Sequence, residues 1–184
     1  MTKNIVMYKR ILFLLCILPF QLLMAQSKLT DFPQGYTPEE VGNRLAYRFM
    51  EKYRISDRKG IGYADTFNWS GALKYAAIAK DERLVKLLQN KFDSLFTTKK
   101  NILPKKTHVD WNMFGSLPLE FYWITKEKRY LDLGIPYADT QWEVPENAKA
   151  QEKEWDAKGY SWQTRLWIDD MYMITIIQTQ AYKV

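Results

Sequence analysis

Cysteine and histidine are almost absent from this chain of 184 residues, which has one of each. Cys16 lies inside an apolar run near the N-terminus, so the rest of the chain has no thiol for a disulfide, for nucleophilic catalysis or for a metal site. His108 stands alone, and a Ser/His/Asp triad or a histidine metal site would have to be built around one imidazole. We therefore expect no metal, no cofactor, and a fold held together by its core.

Long hydrophobic runs are lacking except at the N-terminus, where one has the form of a leader. Basic residues precede an apolar run at residues 11–24, and Ala25 offers a small residue for cleavage. The run is shorter than the roughly 20 apolar residues that span a bilayer. The pattern predicts a signal peptide over residues 1–25, with residues 26–184 exported to the periplasm or the extracellular space and no membrane span after cleavage.

A strong charge of one sign is lacking as well. The formal net charge is +6, and removing the leader with its Lys3, Lys9 and Arg10 lowers it to +3. So small a surplus, dispersed along the chain, is not typical of nucleic-acid binding, and we expect no nucleic-acid partner. Aromatic residues are plentiful, at 15% of the chain. They suit a packed helical core, or a cleft in which ring faces stack on sugars.

The chain contains an internal repeat of helical segments. Apolar residues recur at helical spacing in two segments, Val41 to Tyr53 and Leu84 to Leu95. The segments that begin at Ala79 and Thr125, 46 residues apart, share a lysine, an acid and an arginine, and the last three residues resemble those 60 positions earlier. Periods in this range indicate helical hairpins stacked in an array or closed into a ring.

An aspartate begins each repeat. Asp65, Asp110 and Asp169 lie 13 to 15 residues before Ile78, Ile124 and Val184, which occupy matching positions in the repeats. We therefore expect their side chains to gather on one end of the bundle, with Asp65 structural. The remaining expected elements are helices over about residues 38–55, 66–79 and 81–96, a break or kink at Gly134 and Pro136, and a polar loop over residues 143–159 on the same end as the aspartates.

Two segments carry a family resemblance: His108 to Gly115 and Trp162 to Met173. They resemble glycoside hydrolase families 88 and 105, the unsaturated glucuronyl and rhamnogalacturonyl hydrolases, and family 105 more nearly. The resemblance implies an all-α fold in which helical hairpins form about half of an (α/α)6 barrel, with a cleft at one end of the inner helices. Because such enzymes are roughly twice this length, residues 26–184 are expected to be a partial catalytic domain, truncated at its C-terminal end.

The resemblance also implies a reaction. A carboxylic acid protonates C4 of a 4,5-unsaturated uronic acid at the non-reducing end of a lyase-cut oligosaccharide of pectin or rhamnogalacturonan type, and water adds at C5. The hemiketal then collapses and releases the remaining sugars. The family's acid/base aspartate maps to Asp169 and its second aspartate to Asp110. Asp170 points about 100° away from Asp169 around a helix, so only one of the two can face a given cleft, and we expect Asp169.

Five further residues are candidates for substrate binding: Trp69, His108, Trp111, Arg165 and Trp167. The three tryptophans stack on sugar or belong to the core, and we expect two of them in the core. His108 packs or forms a hydrogen bond at a helix start, or contacts substrate. Arg165 grips the uronate carboxylate with two hydrogen bonds, or pairs with a nearby acid.

Two other interpretations stay open at this point. A helical-hairpin interaction module without catalysis would suit a regular repeat, which the change of period from 46 to 60 residues disfavours. The second interpretation is that the chain is an inactive truncated fragment. Half a ring would leave the apolar faces of the inner helices uncovered. On that ground the isolated chain is expected to be inactive, or to need partners that close the ring.

Overall fold

The computed structural model describes residues 30–184, and the predicted signal peptide lies outside them. All regular secondary structure in this part of the chain is helical. Residues 30–37, which contain a turn, belong to a separate unit from Pro38–Val184. Short 3₁₀ turns join the main elements, which are α1 (Pro38–Lys52), α2 (Tyr63–Ile78), α3 (Glu82–Asp93), α4 (Val109–Asn112), α5 (Ser116–Thr125), α6 (Lys128–Asp139), α7 (Ala150–Ala157) and α8 (Ile168–Lys183).

The helices of Pro38–Val184 form an inner and an outer layer. Helix α5 packs against α2 on one side and α8 on the other, while α1 and α3 pack on α2, and α6 packs on α5. Helix α5 is apolar nearly all round and is buried along most of its length, which is the pattern of an inner helix. The prediction of an all-α fold that is part of a six-hairpin barrel is confirmed. None of the helices in residues 30–184 combines the length and apolar character needed to cross a membrane.

Aromatic rings join the two layers. Phe92 of α3 lies at the centre of this core, with ring centroids 5.5 Å from Trp69, 4.8 Å from Phe121 and 5.7 Å from Tyr130. These four side chains come from four helices and are fully buried. Much of the aromatic content therefore holds the hairpins together, as the sequence indicated.

Helix α6 is continuous through Gly134 and Pro136, so of the predicted break or kink, the break is wrong. Gly134 lies where α6 approaches α5 most closely: a Cβ there would come within 2.6 Å of Leu119 Cγ. Gly115, on the other side of the contact, faces Tyr137 in the same way, with 2.4 Å between a built Cβ and Tyr137 Cβ. These glycines serve close packing, and the packing of α6 on α5 keeps the helix intact despite the proline.

Two other boundaries differ from expectation. Helix α1 ends at Lys52, three residues earlier than predicted, and the chain then forms a 3₁₀ turn over Ile55–Asp57. The polar segment 143–159 is not all loop, because α7 lies within it. The Glu152 carboxylate accepts a hydrogen bond of 2.7 Å from the Lys149 backbone N–H, which caps this helix and explains why so polar a segment folds.

We predict that Gly115→Ala lowers the free energy of unfolding by about 1–3 kcal/mol, because the added methyl group overpacks the α5–α6 contact. Gly71→Ala is the matched control: it lies inside α2 with nothing within 4 Å of its Cβ position. There alanine should stabilise by about 0.5–1 kcal/mol, since it favours the helix. Urea unfolding followed by circular dichroism measures both. Equal effects of the two substitutions would contradict the close-packing explanation.

Candidate active site

Aspartates lie in the first turn of three helices of this fold. Asp65 lies in the first turn of α2, Asp110 in α4, and Asp169 with Asp170 in the first turn of α8. Asp65 accepts a hydrogen bond of 3.2 Å from the Gly62 backbone N–H and thereby caps α2, so its predicted structural role is confirmed. The other three carboxylates meet at a single arginine.

That arginine is Arg165, three residues before α8. Its Nη1 and Nη2 donate to the two oxygens of Asp110 at 3.2 and 3.0 Å, which is a bidentate pair between residues 55 positions apart in the chain. Nη2 also lies 3.5 Å from Oδ2 of Asp169. Asp110 and Asp169, from separate hairpins, are thus brought to one end of the inner helices, as the repeat predicted.

Asp170 holds the other side of the same guanidinium. Arg165 donates to its Oδ1 from Nε at 3.0 Å and from Nη2 at 2.5 Å. The Asp170 carboxylate also accepts from the backbone N–H groups of Arg165 (2.6 Å) and Trp167 (3.3 Å) and from the Thr164 hydroxyl (3.2 Å). The bond from Trp167 closes the N-terminus of α8.

Burial separates the two neighbouring aspartates. Asp170 is only 1% exposed, whereas the Asp169 side chain is 50% exposed. Burial raises the pKa of Asp170, but the hydrogen bonds from the Arg165 side chain and from the backbone outweigh it, so the pKa lies below its ordinary value. Asp170 is therefore a buried anion, and Asp169 is the one of the two that faces solvent.

The segment before α8 is tied to its surroundings. Ser161 Oγ donates to the Gln141 carbonyl and Trp162 Nε1 to the Thr140 carbonyl, both at 2.7 Å. Leu166 has a φ of 60°, in the left-handed region that non-glycine residues rarely adopt. This turn lies between Arg165 and Trp167, and the Arg165 Cζ atom stands 4.2 Å above the Trp167 ring.

His108 precedes α4 and caps it. Its Nδ1 accepts a hydrogen bond of 3.2 Å from the Asp110 backbone N–H, which requires a neutral ring with its hydrogen on Nε2. The ring centroid lies 5.4 Å from that of Trp111. The predicted hydrogen bond at a helix start is confirmed, and a contact of His108 with substrate stays a prediction.

The three candidate tryptophans divide between the core and the surface differently from expectation. Trp69 is 0% exposed and packs against Phe49, Tyr53 and Phe92, so its ring cannot stack on a sugar. The expectation that Trp69 binds substrate is wrong. Trp111 and Trp167 are 43% and 60% exposed, so one tryptophan of the three is core and not two. Arg165 pairs with nearby acids, which is the second of its two expected roles.

Sequence reasoning missed two features of this region. One is the anchoring role of Asp170, whose position three residues after Trp167 is the spacing of a helix capping box. The other is a groove of about 550 Å³ beside the carboxylates, which Trp167 and Asp170 share with Trp142 and Tyr160. The sequence signal available for it was the pair of aromatic residues, Trp142 and Tyr160, that flank the polar segment 143–159.

We predict that Asp170→Asn lowers the free energy of unfolding at pH 7 by about 3 kcal/mol, because it leaves Arg165 without its buried partner. Since folding depresses the pKa of Asp170, its charge stabilises the fold above the ordinary pKa of 3.8 and ceases to do so as the pH falls through the lower folded value. The difference in unfolding free energy between Asp170→Asn and the unaltered protein should therefore shrink below about pH 4.

Urea unfolding at a series of pH values, followed by tryptophan fluorescence, measures this difference. Asp156→Asn on the exposed face of α7 is the control, with an expected change within about 0.5 kcal/mol. A difference for Asp170→Asn that stays constant down to pH 3 would show that its charge is not what stabilises the fold.

Comparison with known proteins agrees with this architecture. A family model described as Glycosyl Hydrolase Family 88 matches residues 41–184, which is most of the chain. No curated protein and no solved structure matches. The expected nearness to family 105 within this group stays a prediction. The chain belongs to glycosyl hydrolase family 88, a family of glycosidases that act on carbohydrate substrates.

Proposed function

We propose that this chain carries the acid/base end of a glycosidase that hydrates the C4=C5 bond of an unsaturated uronic acid and releases it from lyase-generated oligosaccharides. One observation carries the proposal: Asp110 and Asp169, brought by separate hairpins, share the Arg165 guanidinium at one end of the inner helices. Membership of family 88 supports it.

Asp169 is the group best suited to move the proton. Its side chain is half-exposed and has one long contact, to Arg165, so it can exchange a proton with water and reach a substrate. In the proposed reaction it gives that proton to C4, and charge develops at C5. Water then adds to C5 and returns a proton to the Asp169 carboxylate, so that one residue serves first as acid and then as base.

Asp110 suits a fixed, orienting role. Two charge-assisted hydrogen bonds from Arg165 hold its carboxylate in one rotamer, and 22% of the side chain remains exposed. It can therefore accept a hydrogen bond from a hydroxyl of the sugar ring without leaving the arginine. His108 Nδ1 lies 3.7 Å from Asp110 Oδ2, and the exposed Trp111 is the next residue along the chain.

The substrate we propose is an oligosaccharide of pectin or rhamnogalacturonan type, acted on in the periplasm or outside the cell. The predicted signal peptide supports export, and polysaccharide lyases produce such unsaturated ends from polymers that lie outside cells. The exposed faces of Trp111 and Trp167 are the surfaces available for stacking on its rings.

We predict that Asp169→Asn reduces turnover by at least about 10²-fold, because the amide cannot supply the proton. The measurement mixes an unsaturated uronic disaccharide with the protein purified from its own host. It follows the loss of absorbance of the C4=C5 bond. Asp156→Asn should leave the rate unchanged, and circular dichroism should show that Asp169→Asn keeps its helices. An Asn variant that retains the rate would exclude Asp169 as the acid.

We predict that Trp167→Ala raises KM for the same substrate about tenfold, the size of effect expected from one lost stacking contact of roughly 1.4 kcal/mol. Trp123→Ala is the matched control. Trp123 is also half-exposed and lies under a cation, with Lys126 Nζ 4.3 Å from its ring, but it belongs to the other end of α5. Similar KM values for the two variants would remove Trp167 from the binding surface.

A further inference from the structure

Protein carboxylates occupy both bidentate edges of the Arg165 guanidinium. Nε donates to Asp170, Nη1 to Asp110, and Nη2 to both of these carboxylates and towards Asp169. No nitrogen is left without a protein carboxylate as its acceptor. A uronate could accept two hydrogen bonds from one edge of this guanidinium only if one of these pairs broke, so the arrangement disfavours bidentate binding of the substrate by Arg165.

Asp170 and Trp167 also hold the guanidinium in place. Asp170 is buried and accepts from the backbone N–H of Arg165 as well as from its side chain, which fixes both ends of the residue. The ring of Trp167 covers one face of the guanidinium at 4.2 Å. The left-handed turn at Leu166 makes this possible, because it lets residues 165 and 167 both contact the Asp170 side chain.

We propose that Arg165 is a positioning residue: anchored by Asp170, it sets the spacing and orientation of the Asp110 and Asp169 carboxylates. This inference rests on the proposed function, in which these two groups act on the sugar. Two carboxylates at one site repel each other, and a guanidinium between them offsets that repulsion. Its planar fork also fixes their geometry, which a lysine ammonium does not do.

The kinetic test compares Arg165→Gln and Arg165→Lys in turnover of an unsaturated uronic disaccharide. If Arg165 positions the carboxylates, kcat should fall about 10²-fold in both variants, since misplaced groups cost rates of that order, while KM changes less than about threefold. If Arg165 instead binds the uronate, KM should rise about 30-fold or more in Arg165→Gln and kcat should change less, which would overturn the proposal.

Arg129→Gln is the matched control for loss of an arginine. Arg129 also bridges two carboxylates, Asp93 at 3.0 Å and Glu127 at 2.7 Å, but it lies at the start of α6, away from the site. Its substitution should leave kcat and KM unchanged. A fall in kcat equal to that of Arg165→Gln would mean that any broken ion-pair network slows the protein, and would overturn a specific role for Arg165.

The pH profile separates positioning from a purely structural role. The charged and titratable groups that face Arg165 are Asp110 and His108 at α4, and Asp169 and Asp170 in α8. Removing the positive charge makes the remaining carboxylates easier to protonate, so both limbs of the profile should move to higher pH in Arg165→Gln. Arg165→Lys keeps the charge, and its profile should stay in place although kcat is low. Profiles that do not move in Arg165→Gln would contradict the proposal.

The double variant Arg165→Gln/Asp170→Asn tests the anchor. It replaces the ion pair by two amides, which can bond each other, and so remains usable where a single variant fails to fold. If Asp170 acts only through Arg165, the double variant should have the kcat of Arg165→Gln alone. A further fall, equal to the effect of Asp170→Asn, would overturn the anchoring role.

Carbon NMR of labelled aspartate carboxyl groups distinguishes a failure of the positioning role from a failure of the proposed function. In Arg165→Gln the Asp110 signal should titrate at higher pH than in the unaltered protein, whether or not the protein turns over this substrate. No loss of absorbance with the unaltered protein, together with this NMR change, would contradict the proposed function and support the Arg165–Asp110 contact. An unchanged titration would overturn the positioning role.

Discussion

The ion pair between Asp170 and Arg165 is the interaction on which the site depends. A buried carboxylate is costly unless it is paired and hydrogen-bonded, and Asp170 accepts five hydrogen bonds, all from residues 164–167. These bonds turn a short segment before α8 into a fixed support. The same guanidinium then reaches across to Asp110 in another hairpin, so one cation joins the two halves of the site.

The helical fold sets how far that cation must reach. Helix α8 packs against α5 at Gly115, where an added Cβ would come within 2.6 Å of Ile177 Cδ1. Gly115 follows Asp110 by five residues and lies in the turn before α5, so this close approach is one of the contacts that hold the Asp110 segment against α8, together with the direct packing of α4 on α8.

Periodicity and repetition predicted the parts of this protein that depend on local sequence. The apolar spacing from Val41 to Tyr53 and from Leu84 to Leu95 indicated real helices, and the recurring aspartates marked real helix starts. The predictions failed where tertiary contacts decide. Gly134 appeared to be a helix breaker because its role, close packing on Leu119, involves a residue of another helix.

The candidate site shows the same division. The aspartates and Arg165 could be found from the two motifs, because the residues within each motif lie close together in the chain. Trp69 was misassigned because an exposed and a buried tryptophan have the same letter, and only the packing of Phe92 and Tyr53 around it shows which it is. The pairing of Arg165 with Asp110 spans 55 residues, and a contact over that distance cannot be read from one sequence without knowing how the hairpins pack.

The balance of charge at the site bears on the proposed reaction. Three carboxylates face one guanidinium, so this group of four side chains has a net negative charge when every acid is ionised. A uronic acid substrate brings a further negative charge. Asp170 and Asp110 are held by Arg165 as partners of a cation, whereas Asp169 has only the 3.5 Å contact, so the added repulsion falls most freely on Asp169. In the proposed reaction, Asp169 is therefore the carboxylate that Arg165 holds least, which suits the group that must contact the sugar and water in turn.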